Sequence, residues 1–315
     1  MKRTRNISAV VAVVPSSRPR PSTRSVGPGD RHPALDPLRS RRILPRGAYH
    51  AHEAVTVEGQ VLVLRRCIGS QWGLAAGAQL AREYSVLQAL EHTGIAPRPV
   101  ALEDEVLVEE FVAGRAFDPR VDLRALMPAL RAVHATVPPV GLPRVDPVSE
   151  LRADGERWFA RASAAGAPRG QLRALRALAD ELPEPFDAGP AVLVHTDLNA
   201  GNLLVEPSGR VRLLDWEAAR VGPAAWDLAH LFVPTTTLWD LGTACVLDAE
   251  TINAALDAYG DPHLARQVGR LAGPVRFRAL AWVVGVRAEG LPSSNPVLVR
   301  QADRLIDLLL HERAT

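Results

Sequence analysis

Lysine is almost missing from this chain: of 37 basic residues, the single lysine is Lys2. Any site that ordinarily sets a lysine against phosphate must therefore use arginine or work without one. Cysteine is nearly as scarce. Cys67 and Cys245 stand far apart, which supports neither a disulfide framework nor a thiolate zinc site. No apolar run approaches the roughly 20 residues needed to span a bilayer, so no membrane association is expected. The string G-x-x-x-x-G-K-[ST] does not occur, which excludes a P-loop kinase. No internal repeat is visible. An excess of one charge sign is also lacking. The net charge is only +2, whereas a dedicated nucleic-acid binder shows a basic face.

What remains is ordinary globular composition. The chain has 315 residues, 47% hydrophobic and 23% charged, enough for two packed lobes. Residues 1–38 depart from it. SSRPRPSTRS is rich in Arg, Pro and Ser and cannot bury enough apolar surface to offset its chain entropy, so 1–38 reads as a disordered extension. Its start, MKRTRNISAVVAVVP, loosely imitates a secretion signal. No A-x-A-like cleavage site follows closely, and a cytoplasmic protein is expected.

Residues 39–113 carry mixed signals. AVTV (54–57), Glu58-Gly59-Gln60 and VLVL (61–64) read as a hairpin. Leu80, Tyr84, Leu87 and Leu90 recur at helical spacing and predict a helix over 74–92. Pro97 and Pro99 close that region, and VLVEEF (106–111) reads as a strand. Residues 114–315 are mostly helical. Leu123, Leu126, Leu130 and Val133 form one stripe over 123–137, which Pro128 should disturb. Further helices are expected near 150–161, 169–182, 225–232, 248–259, 263–287 and 297–312. The fold class is α+β: a small β-rich lobe, then a larger helical one interrupted by a polar segment at 192–217.

That segment contains HTDLNAGNLLVEPSGRVRLLDWE, residues 195–217. A short apolar strand, Val192–Val194, delivers His195 and Asp197 to a loop. LLVE (203–206), Pro207-Ser208-Gly209 and VRLL (211–214) read as strand, turn and strand, with Asp215 directly after. Residues at the open end of an antiparallel hairpin face each other about 5 Å apart, which would set Asn202 against Asp215. An amide oxygen and a carboxylate held there can share one hard cation, and magnesium takes oxygen ligands. Asp197, one loop earlier, suits a general base for a hydroxyl nucleophile. Any one of these residues alone reads as a turn or cap residue. His, Asp, Asn and Asp in this order around this hairpin read as a site.

The pattern His-Thr-Asp-x-x-x-x-Asn, followed by two hydrophobic residues and Asp-Trp-Glu, resembles the aminoglycoside phosphotransferase family, which shares the bilobal protein-kinase-like fold. The resemblance covers roughly 40 to 310. It implies that Asp197 is the catalytic base, that Asn202 and Asp215 hold magnesium, and that His195 braces the loop. Trp216 and Glu217 match the family's form of the metal motif. Asp227 in PAAWDLAHL (223–231) sits at the start of a helix, where it can accept backbone N–H bonds; the stretch is also similar to the family, whose Asp at this position supports the catalytic loop. A kinase-like first lobe needs a cation on its third strand and an acid on the following helix. Strand alternation puts Val61, Val63 and Arg65 on one face and Arg66 on the other, which favours Arg65 as the phosphate contact. Glu83, three residues after Leu80 and four before Leu87, is the acid. VEEFVAG (108–114) resembles the hinge, where the Glu110 carbonyl and the Val112 N–H would read adenine. The phosphate loop is the poorest match, with Gly47, Tyr49 and His50 as its candidates.

The expected activity is ATP- and magnesium-dependent phosphoryl transfer to a hydroxyl of a small molecule: an antibiotic, amino alcohol, amino acid or sugar. The helical half shows no acidic run, which disfavours a polycationic acceptor. No long segment separates Asp215 from PAAWDLA, which leaves little platform for a protein substrate. The missing lysine and the poor phosphate loop sustain a second reading, a nucleotide-binding regulatory protein without turnover.

Overall fold

A computed structural model of the chain describes residues 40–44, 50–69, 74–103, 105–238, 246–290 and 296–311. The extension at 1–38 and the candidates Gly47 and Tyr49 lie outside the described residues, as does Cys245.

The hairpin read from the sequence is longer than its apolar core suggested. β2 (His50–Val57) and β3 (Gln60–Cys67) turn through Glu58 and Gly59, both at positive φ (51° and 84°), the backbone that a two-residue hairpin requires. β1 (Ser40–Ile43) adds to the outer edge of β2. It was not expected, because SRRI carries no alternation to mark it. After α1 (Ala76–Leu90), β4 (Pro99–Glu103) and β5 (Val106–Glu110) complete a five-stranded antiparallel sheet in the order β1-β2-β3-β5-β4. Alternation then sorts the side chains. Val55, Val57, Leu62, Leu64, Ala101, Val106 and Val108 form one cluster. Leu107, from the opposite face, joins Leu80, Leu87 and Leu90 of α1 in the main core. Arg65 lies opposite Leu107 in the β3–β5 register and shares that face.

β6 (Arg115–Ala116) leads from the sheet into α2 (Pro119–Ala135), which Asp118 caps by accepting the Arg120 N–H. Pro128 does not break α2. The carbonyl freed by its missing N–H belongs to Arg124, and both residues lie on the exposed side of the helix, where solvent can take the place of the lost partner. α3 (Pro147–Ala164) and α4 (Arg169–Asp180) follow, then β7 (Ala191–Val194) and the hairpin of β8 (Leu203–Val205) and β9 (Val211–Leu213). β6 joins that hairpin in the order β6-β8-β9, and β10 (Arg220–Pro223) pairs with β7. The chain ends in α5 (Ala224–Phe232), α6 (Pro234–Leu238), α7 (Ala249–Tyr259), α8 (Leu264–Gly290) and α9 (Pro296–His311). α3 and α8 approach closely at two glycines. A Cβ on Gly155 would lie 2.3 Å from the Phe277 ring, and one on Gly285 would lie 2.8 Å from the Trp158 ring. No helix among the described residues is long and apolar enough to cross a membrane.

Candidate active site

The hairpin register differs by one residue from the sequence reading. Leu203 pairs with Leu213, and the Leu214 N–H donates to the Asn202 carbonyl at 2.8 Å. The ladder partner of Asn202 is therefore Leu214, not Asp215. Asp215 sits one residue beyond, where a left-handed backbone (φ 65°) turns the chain. Asn202 meets Asp197 instead. Its Nδ2 donates to the Asp197 carboxylate at 3.0 Å and to the Asp197 carbonyl at 2.9 Å. Asn199 donates to the same carboxylate oxygen at 3.3 Å. With its nitrogen committed this way, the Asn202 amide keeps its oxygen for a cation.

His195, fully buried, spans from the loop to the hairpin. Its Nε2–H donates to the Leu214 carbonyl at 2.9 Å, its Nδ1 accepts the Asp197 N–H at 3.3 Å, and its ring lies 4.5 Å from the Trp216 ring. It braces the loop and also fixes its own tautomer. Asp227 on α5 is buried without any exposure and accepts three hydrogen bonds: the Thr196 N–H at 2.7 Å, the His195 N–H at 2.9 Å and His134 Nε2–H at 3.1 Å. His134 accepts in turn from the Tyr259 hydroxyl at 2.9 Å. Burial works against the Asp227 charge, but the hydrogen bonds from His134 and the His195 N–H outweigh it and hold the carboxyl below its usual range. Asp227 therefore serves the loop rather than the start of its own helix. Thr196 needs that support, because a β-branched residue at φ 63° is strained.

Two cations reach this region: Arg82, whose Nη2 donates to the Glu217 carbonyl at 2.8 Å, and the more deeply buried Arg65. Arg65 is 3% exposed, its Nη1 lies 3.0 Å from Glu83 Oε1, and its Nη2 pairs with Asp215 Oδ1. Nη2 also donates to His50 Nδ1 at 3.1 Å. Glu83 accepts the Trp216 N–H at 3.1 Å, so α1 is tied directly to the Asp-Trp-Glu turn. Arg66 points from the other strand face, half exposed, with Glu53 at 3.7 Å. Glu217 accepts from Gln79.

The charge balance around Arg65 is uneven. Glu83, Glu109, Asp215 and Glu217 all act on this one guanidinium. Burial, opposed by Arg65, pushes the Glu83 carboxyl up to about 7 and Glu109 up to about 8. Burial and then Asp215 push Glu217 up to about 8. Arg65 itself is raised, because Asp215 and Glu83 together outweigh the cost of burial, and Asp215 stays lowered chiefly through Arg65. His50 is pushed down to about 3 by burial and by Arg65, and is neutral. Ligand atoms of His50, Asp215 and Glu217 all lie within 4.8 Å of one another. Glu83 Oε2 is buried with no hydrogen-bond partner. A hard divalent cation fits such a surplus of buried carboxylate oxygens.

Glu110 and Val112 lie apart from this cluster, at the far end of β5. Glu110 pairs with Leu62, three residues along β3 from Arg65. Its side chain accepts the Arg98 N–H at 3.0 Å and Arg212 Nη2 at 2.8 Å, so it is turned away from any base read by its backbone. The sequence reading passed over three buried groups. Glu109 shares the Arg65 face, which the same period-2 argument places inside. Gln79 stands one turn before Glu83 on α1. His134 lay on the α2 stripe with nothing to distinguish it from core.

The geometry has counterparts among known proteins. The family model described as the phosphotransferase enzyme family matches residues 42–271. Comparison with curated protein sequences returns no match. Among solved structures, a choline kinase from Streptococcus pneumoniae is 16% identical, with a TM-score of 0.59 over 89% of this chain and 96% of its own. An ADP-bound aminoglycoside phosphotransferase is 14% identical, with a TM-score of 0.58 over 89% and 95%. A macrolide 2'-phosphotransferase from Brachybacterium faecium is 19% identical, with a TM-score of 0.55 over 87% and 95%. These likenesses carry the kinase-like fold. The family match spans most of the chain, including the Arg65 strand, the 195–217 segment and Asp227, and the chain belongs to the phosphotransferase enzyme family.

Proposed function

We propose that the protein is a kinase that transfers the γ-phosphate of ATP to a hydroxyl group of a small molecule. The observation that carries this reading is the pairing of Asp197 with Asn202 beside the acid-rich Arg65 cluster. The Asn202 amide holds one oxygen of the Asp197 carboxylate, which fixes the rotamer and leaves the other oxygen to take a proton from an acceptor hydroxyl. Asn202 Oδ1 and Asp215 would hold magnesium, which when bound neutralises charge on the transferred phosphoryl group. Arg65 is poised to meet phosphate, with Glu83 keeping its planar fork in place. Glu110 and Val112 would read the adenine edge through their backbone. The ADP-bound aminoglycoside phosphotransferase supports ATP as the donor.

Acceptors named for the similar structures include choline, macrolides and aminoglycosides, and a small hydroxylated molecule of that range suits this chain. The test is phosphoryl transfer from labelled ATP to pooled antibiotics, amino alcohols, amino acids and sugars. One pool should be labelled, and Asp197→Ala should lower turnover by orders of magnitude with nucleotide affinity nearly unchanged. Equal turnover in the variant would remove Asp197 from the chemistry. Nucleotide binding without transfer to any pool would favour a regulatory role.

A further inference from the structure

The hairpin that leads into Asp215 reaches back to the strand that carries Glu110. Arg212 stands on β9, three residues before Asp215, and is buried. Its Nη1 donates to Glu206 Oε1 at 2.6 Å, and its Nη2 donates to the Ala96 carbonyl and to Glu110 Oε2, both at 2.8 Å. Beside it, the Leu213 N–H donates to the Ile95 carbonyl at 2.9 Å. Glu110 is also held just ahead of β4, where its N–H donates to the Arg98 carbonyl at 2.9 Å. Burial works against its charge, but the Arg98 N–H and then Arg212 outweigh it and keep the carboxyl below the usual range.

The other end of the Glu110–Val112 segment is fastened to the same hairpin. Past Val112 the chain runs through Gly114, where a Cβ would lie 2.8 Å from the Val205 carbonyl of β8. Arg115 and Ala116 then pair with Val205 and Leu204. The stretch between β5 and β6 is therefore anchored to one hairpin at both ends.

A buried arginine with two carboxylates is a poor device for stability alone, because an apolar substitute of similar volume is often as good or better. A planar fork joining three separate chain segments does fix their relative position. We propose that Arg212 is a positioning residue for the nucleotide base: by holding the Glu110 side chain, it sets the backbone of 110–112 at a fixed offset from Asp215. This rests on the reading of 110–112 as the adenine contact. Base and phosphates are then located by one hairpin rather than by two lobes free to shift.

The test compares the affinities of magnesium-ATP and magnesium tripolyphosphate, which lacks a base, in the parent, Arg212→Met and Glu110→Gln. Met keeps the apolar stem of Arg212 and removes the fork. Gln keeps the shape of Glu110 and removes its charge. Each variant should weaken ATP binding by about tenfold, the size of one lost charge-assisted hydrogen bond, and leave tripolyphosphate within about twofold. The double variant should be no worse than the weaker single one, because both break one link. Equal losses for ATP and tripolyphosphate would mark a general structural role and overturn the inference, as would ATP affinity unchanged in both variants. If Arg212→Met does not fold, Glu110→Gln, at a half-exposed site, decides the matter alone. A parent that binds tripolyphosphate and ATP equally well would overturn the adenine reading of 110–112 and this inference with it.

Discussion

Asp227→Asn isolates the contribution of one carboxylate to the loop that carries Asp197. Asp227 has no exposure and accepts from the Thr196 N–H, the His195 N–H and His134 Nε2. Asparagine has the same shape but only one acceptor oxygen. Whichever way the amide turns, its NH2 faces at least one N–H donor, and that donor is left buried without a partner. Hydrogen bonds to a charged acceptor contribute about 1.5–3 kcal/mol each, and one or two are lost, so destabilisation of about 3 kcal/mol is expected. A second effect falls on activity. Thr196 sits at φ 63°, a conformation that costs about 1–3 kcal/mol and persists only when its surroundings impose it. Without the clamp on its N–H, Thr196 relaxes and carries Asp197, the next residue, with it. Urea unfolding followed by tryptophan fluorescence measures the first effect, and phosphoryl transfer measures the second. A stability loss below about 1 kcal/mol with unchanged turnover would refute the claim that Asp227 holds the loop.

Other outcomes follow from the same geometry. Arg65→Met should abolish detectable nucleotide binding, whereas Arg66→Met, altering the outer strand face, should leave affinity within about twofold; titration of both variants with ATP separates them. Glu109 stays protonated in the folded chain up to about pH 8 but ionises near 4.5 when unfolded. Its contribution to stability therefore falls as pH rises from about 4.5 to 8, and unfolding midpoints for Glu109→Gln should decline less steeply over that window than those of the parent. Gly155→Ala drives a methyl into the Phe277 ring at the α3–α8 crossing and should cost about 1–3 kcal/mol, read as a lowered Tm.

Much of this architecture is written in short-range pattern. Arg65 was separable from Arg66 because side chains alternate on a strand, and the structure has Arg65 buried and Arg66 half exposed. Glu83 was found because an acid on an apolar helical stripe needs a partner, and Arg65 is that partner. Apart from the short α6, which was not expected, the α-helices from 147 onward fall close to their expected bounds, where apolar stripes and the Asp146 and Asp248 caps agree. What escaped depended on distant chain. β10, RVGP, has the composition of a loop and becomes a strand only because β7 offers it a ladder. The offset of Asp215 beyond the hairpin follows from the register that sets Leu203 against Leu213, and its left-handed backbone is one that an aspartate does not announce. The His134–Asp227 link joins residues 93 positions apart, and neither periodicity nor spacing marks it.

The location of Asp227 also bears on how such sites are recognised. The loop residues His195 and Thr196 take their shape from a carboxylate 32 residues beyond His195, on a different helix. A fragment or graft covering only 195–217 would carry Asp197, Asn202 and Asp215 yet lack the acceptor that holds Thr196 in place. A chain with that string intact and an apolar residue at the Asp227 position would pass a motif scan while leaving the His195 and Thr196 N–H groups without this acceptor. The transferable unit is the loop together with α5, so a useful signature for this chemistry spans both.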